Sequence, residues 1–78
     1  MRGQILIVGK EMAVSRLMET NLRMFGYQTV CVSEKRQAAE AVRAQRFDAA
    51  LCDAALRSDE DGGIASALRA QEVPVIFV

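Results

Sequence analysis

Asp53 closes the short apolar run Ala49-Ala50-Leu51-Cys52. A carboxylate at the carboxyl end of a buried strand stands where open α/β sheets bind ligands and do their chemistry. An aspartate at a strand end also caps the turn that follows, so its neighbours decide between the two roles. The first apolar run, Gln4 to Val8, ends in Gly9, Lys10 and Glu11. Lys10 either reaches Asp53 across adjacent strand ends or stands solvated above it. An opposite charge within about 4 to 6 Å favours both ionised forms. At a partly exposed position such a pair contributes only about 0 to 1 kcal/mol.

Other chemistries are excluded by composition. The chain has no histidine, and its two cysteines, Cys31 and Cys52, form neither a CxxC knuckle nor a multi-disulfide framework. That removes zinc sites and Ser-His or Cys-His triads. Both cysteines lie in apolar runs and read as small buried hydrophobes. A dinucleotide fingerprint beginning at Gly9 needs glycine at positions 11 and 14, which are Glu11 and Val14, and a negative side chain there repels pyrophosphate. Gly9-Lys10 also lacks the preceding glycine and following hydroxyl residue of a P-loop. Ten basic and ten acidic residues leave no net charge, hence no basic field for nucleic acid or anionic lipid. No apolar run approaches the roughly 20 residues of a membrane span, and the start lacks a signal-peptide core, so the expected location is cytoplasmic.

The elements that must position Asp53 follow from periodicity. With 51% hydrophobic and 26% charged residues among 78, the composition is that of one small globular domain over 1–78. Gln4 to Val8 is continuous rather than alternating, which suits a strand covered on both faces of a parallel sheet. Val14, Leu17, Met18, Leu22 and Phe25 mark one face of a helix that Gly26 ends. Tyr27 to Val32 is a second strand, and Ser33 is the expected N-cap of a helix bearing Ala38, Ala39, Ala41, Val42 and Ala44. Phe47 to Cys52 is a third strand, 57–63 a loop, Ile64 to Ala70 a short helix and Val73 to Val78 a fourth strand. Pro74 falls near the start of that strand, where its missing N–H is tolerated. The order βαβαβαβ with short right-handed connections gives a parallel, doubly wound α/β sheet. The chain stops on an apolar strand with no helix after it, so a truncated domain is expected.

Strand-end Asp53, Leu56, the Asp61-Gly62 pair and the closing Val-Pro-Val-Ile-Phe-Val make the chain resemble a receiver domain of bacterial two-component response regulators. The resemblance covers all 78 residues and the first two-thirds or so of a receiver. It implies a flavodoxin-like, CheY-like sheet of order 2-1-3-4, incomplete after the fourth strand. It also implies that Asp53 is the phospho-acceptor for a histidine kinase or phosphotransfer protein, that the chain is not itself an enzyme, and that a C-terminal part or output domain belongs with it.

Receivers carry an acidic pair at the end of the first strand that binds Mg²⁺ beside the acceptor, and here the pair is Gly9-Lys10. Mg²⁺ is held by one or two carboxylates with phosphate and water, leaving Asp53 and Glu11 as the candidate metal ligands and Lys10 in place of an acid. Mg²⁺-dependent phosphorylation is therefore expected to be weakened or lost. Arg57 replaces the common proline after Leu56, and Asp61-Gly62 is a loop element. The alternative is a phosphorylation-independent interaction module. With no final helix over it, such a fragment exposes part of its first-helix face and its fourth-strand edge, for the rest of a parent protein or for a homodimer.

Overall fold

The structure, a computed structural model, describes residues 3–53 and 63–78. Four apolar runs form parallel strands: β1 (Gly3–Val8), β2 (Tyr27–Val32), β3 (Ala49–Cys52) and β4 (Val75–Phe77). They are linked by α1 (Met12–Met24), α2 (Lys35–Ala44) and α3 (Gly63–Ala70). The sheet order is β2-β1-β3-β4, as the receiver resemblance implies. β1 is therefore an inner strand, and Ile5 to Val8 are all buried, three of them essentially completely. Covering on both faces is what a continuous apolar run requires.

Strand alternation assigns each residue to a face. Leu6 pairs with Ala50, and Val8 with Cys52; these join Ala38 and Val42 of α2, Leu68 of α3, Phe47 and Val73 in one apolar cluster. On the other face α1 packs across β2 and β1. There Thr29 and Cys31 of β2 reach Glu19, the thiol at 3.4 Å, and their neighbours Ile5 and Ile7 align through the register with Ala49, Leu51 and then Ile76.

Several boundaries shift from the sequence reading. Phe47 and Val73 belong to the core but precede their strands, because a buried side chain does not require ladder pairing by its backbone. The N-cap of α2 is Glu34 rather than Ser33, since Gln37 turns back to accept from the backbone N–H of both Ser33 (3.0 Å) and Glu34 (3.2 Å), leaving Ser33 just outside the helix. Gly26 ends α1 as expected. Its φ of +93° lies where a Cβ is penalised, and its N–H closes on Arg23 O at 3.0 Å.

The largest departure concerns the apolar face of α1. Met18 and Leu22 are partly buried, but Val14, Leu17 and Phe25 are 49%, 64% and 68% exposed. The innermost position of the helix is instead a serine, Ser15, at 2% exposure.

Candidate functional site at the strand carboxyl ends

Parallel register brings Val8, Cys52 and Phe77 to the same level, so the residues after them converge at one end of the sheet. The backbone laces them together. Asp53 N–H donates to Val8 O at 2.9 Å, Gly9 N–H to Val32 O at 3.1 Å and Val78 N–H to Cys52 O at 2.9 Å. Asp53 is thus held by a ladder bond just past β3, half-buried, as a strand-end acid should be.

Gly9 is the residue that faces it. A Cβ built on Gly9 would stand 3.9 Å from Asp53 Cβ and 3.3 Å from Ser15 Oγ. The second distance is tighter than ordinary van der Waals contact, so glycine lets α1 approach β1 closely here. The first shows that a side chain at position 9 would project directly beside the Asp53 carboxylate.

A cavity of about 300 Å³ opens at this point. Gly9, Glu11, Ser15 and Asp53 line its polar side, and Val14, Met18 and Val78 its apolar side. Glu11 is the N-cap residue of α1, exposed but on the cavity wall, and a carboxylate suits the positive end of the helix dipole. The cavity therefore brings Glu11 and Asp53 together. Lys10 is exposed and is not among the residues lining it. Leu56, Arg57, Asp61 and Gly62 lie outside the described residues. A larger groove, about 710 Å³, lies at the opposite end of the sheet between the turns that follow α2 and α3, away from Asp53.

As a Mg²⁺ site the described residues do not fit: none of their His, Cys, Asp and Glu side chains gather in a group of three able to hold a metal ion. Gly9 and Lys10, the two positions after β1, add no carboxylate beside Asp53. The arrangement is a carboxylate in a cleft that is partly apolar, without a preformed metal cradle.

Sequence reasoning missed two features of the α1 side. Ser15 enters the cleft, and its only signal is its position four residues after Glu11 in an otherwise apolar stripe. Four residues further, Glu19 accepts hydrogen bonds from Thr29 (3.2 Å) and the Cys31 thiol (3.4 Å) and pairs with Arg23 at 3.5 Å. The thiol's hydrogen bond is the main cause that lowers the Glu19 carboxyl below its ordinary value. Burial, and then the Glu19 carboxylate, push the Cys31 thiol up to about 11; burial alone does the same for Cys52. Both thiols stay protonated near neutrality and are poor nucleophiles.

Comparison with known proteins supplies the class. The chain is 32% identical to the receiver domain of the sensor histidine kinase PA1611 from Pseudomonas aeruginosa PAO1, with a TM-score of 0.79 over 96% of this chain and 65% of that one. That domain was solved with a magnesium ion coordinated in its active site cleft. The chain is 33% identical to SdrG from Pseudomonas melonis Fr1 in its BeF3-activated conformation, with a TM-score of 0.78 over 95% of this chain and 64% of that one. The chain has the doubly wound parallel fold of a CheY-like receiver domain, and spans a little under two thirds of the length of these relatives. No protein-family model and no curated protein matches it. Among the described residues no helix is long and apolar enough to cross a membrane.

Proposed function

We propose that this chain is a cytoplasmic signalling receiver, not an enzyme in its own right, whose phospho-acceptor position is Asp53 and whose Mg²⁺-dependent phosphorylation is weakened or lost. The observation that carries the reading is the pairing of Asp53 with Gly9. The acceptor position is intact, while the neighbouring position that points at it, at 3.9 Å between β-carbons, holds no side chain. Phosphoryl transfer to a carboxylate depends on positioning and on cations that neutralise the phosphoryl oxygens. Neither Gly9 nor Lys10 supplies a carboxylate beside Asp53, so little Mg²⁺ is held there to neutralise the phosphoryl oxygens, and the acceptor is correspondingly slow. The partners of this reading are a histidine kinase or phosphotransfer protein upstream and an output domain downstream, with no direct contact to nucleic acid or membrane.

The test is labelling by a small phosphodonor such as acetyl phosphate, with and without Mg²⁺. The unmodified chain labels slowly or not at all, Asp53→Asn abolishes any label, and Gly9→Asp combined with Lys10→Asp raises Mg²⁺-dependent labelling at least tenfold. Full labelling of the unmodified chain at ordinary Mg²⁺ concentrations would sink the degenerate-site reading. Label that survives Asp53→Asn would sink the acceptor assignment.

One observation favours a second reading, a phosphorylation-independent interaction module: the exposed apolar residues of α1 and β4. It predicts partner binding unchanged by Asp53→Asn.

A further inference from the structure

Of the residues of α1 only Ser15 is buried, at 2% exposure. It is no helix cap, since it lies a full turn inside α1 and its backbone N–H closes on Glu11 O at 3.0 Å. Its hydroxyl is directed at the strand ends. Oγ stands 3.3 Å from the place a Cβ on Gly9 would take, and that same place is 3.9 Å from Asp53 Cβ. Gly9, Ser15 and Asp53 all line the cavity at this point. A buried hydroxyl and the side chain of the strand-end acid thus border one spot that glycine leaves free.

The two distances match what a phosphoryl group on Asp53 needs. A phosphoryl oxygen is four bonds from Cβ, roughly 3.5 to 5 Å away for ordinary bond lengths, so one of the three oxygens reaches the shared spot. From there Ser15 Oγ is within a few tenths of an ångström of hydrogen-bond distance. A donor shielded from water is worth more than the same donor in solution, and phosphoryl transfer gains from donors fixed where charge gathers on the phosphoryl oxygens. The N-terminal, positive end of α1 is at the same place: Glu11, its N-cap residue, makes no side-chain cap bond, and the helix dipole favours added negative charge there. A serine inside a helix also bonds back to the carbonyl four residues earlier. That purely structural use of the hydroxyl is separable by experiment.

We propose that Ser15 contacts the phosphoryl group of this site: its hydroxyl donates a hydrogen bond to a phosphoryl oxygen as the group passes onto Asp53. In that step a carboxylate oxygen of Asp53 attacks the phosphorus of an acyl phosphate, the P–O bond to the acyl group breaks, and the carboxylate that leaves keeps the electron pair. The Ser15 proton stays on its own oxygen throughout. Neither Gly9 nor Lys10 offers a carboxylate to hold a metal, so this neutral donor supplies part of the stabilisation that a cation would give. The role presupposes Asp53 as the acceptor, and all of its geometry lies at the ends of β1 and β3 and the first turns of α1.

Labelling by acetyl phosphate tests it, in the unmodified chain and in Lys10→Asp, which adds a carboxylate for Mg²⁺ and leaves the spacing of Gly9 and Ser15 alone. Added to Lys10→Asp, Ser15→Ala lowers the rate of Asp53-dependent labelling at least tenfold while circular dichroism stays unchanged. Ser15→Cys, close in size but a weak donor, is as slow, and Ser15→Thr, which keeps the hydroxyl, retains most of the rate. A packing role gives the opposite order, with cysteine behaving like serine, and that result overturns the proposal. So does a Lys10→Asp chain that takes no label at all, since the hydroxyl then has no phosphoryl group to contact. The acceptor assignment fails separately, through label that survives Asp53→Asn; label that survives it but is lost in Ser15→Ala makes Ser15 itself the acceptor and overturns both.

Discussion

On the α2/α3 side of the sheet, Leu6, Val8, Ala50, Cys52 and Leu68 are at most 1% exposed. On the α1 side, Leu51 is only partly buried and Ile76 half-exposed, and the helix is tied to the edge strand by the polar set Glu19, Thr29, Cys31 and Arg23. One sheet therefore carries a finished core on one face and an unfinished one on the other. The difference separates two jobs. The closed face holds the fold together, whereas the α1 side carries the cleft beside Asp53.

The contrast breaks most directly through paired truncations. Leu68→Ala removes a fully buried side chain and costs about 2 to 5 kcal/mol in urea unfolding. For a domain of 78 residues that approaches the whole stability. Leu17→Ala, measured at concentrations where the chain is monomeric, changes stability by less than about 0.5 kcal/mol. Equal losses would mean that the two faces are equally closed.

A smaller effect probes the contact between cleft and helix. Gly9→Ala places a Cβ 3.3 Å from Ser15 Oγ and costs about 1 kcal/mol. Gly9→Ala with Ser15→Ala recovers most of that loss, since the crowded hydroxyl is gone. No recovery would place the strain in the backbone instead.

The two thiols sharpen the comparison through pH. Each is raised from an ordinary value of 9.0 to about 11, so the folded state prefers the neutral thiol. That preference contributes stability fully present below pH 9 and lost as pH rises through about 11. Thermal unfolding followed across pH 9 to 11 shows a declining midpoint. Cys52→Ala and Cys31→Ala each flatten part of the decline, the first reporting on the closed face and the second on the open one.

The smallest effect is a gain. Glu72, after α3, has φ of +59°, a left-handed conformation penalised for any residue with a Cβ. Glu72→Gly relaxes it and raises stability by about 0.5 to 1 kcal/mol in the same unfolding assay.

Most of the architecture was legible in the sequence because its signals are local. The β-branched runs, the Gly26 helix stop and the spacing of Ala38 and Val42 each depend on a few adjacent residues, and they predicted the βαβαβαβ order of a parallel sheet, while the strand order 2-1-3-4 came from the receiver resemblance. The position of Asp53 was legible for the same reason. The N-cap at Glu34 was missed because the deciding group is the side chain of Gln37, whose reach back to the backbone no propensity scale records. The roles of Ser15 and Glu19 were missed because a polar residue in an apolar stripe gains meaning only from what the sheet puts opposite it.

Residue order alone determined a parallel α/β domain, an acid at the end of its third strand and Gly9-Lys10 at the end of its first. Those are properties of runs and their boundaries. Only the tertiary structure decided that Gly9 is the residue aimed at Asp53, that Glu11 shares its cavity while Lys10 lies outside it, and that the apolar stripe of α1 is largely uncovered. Each depends on which strands become neighbours and how far a helix extends across them, and packing across the sheet sets that rather than any local pattern.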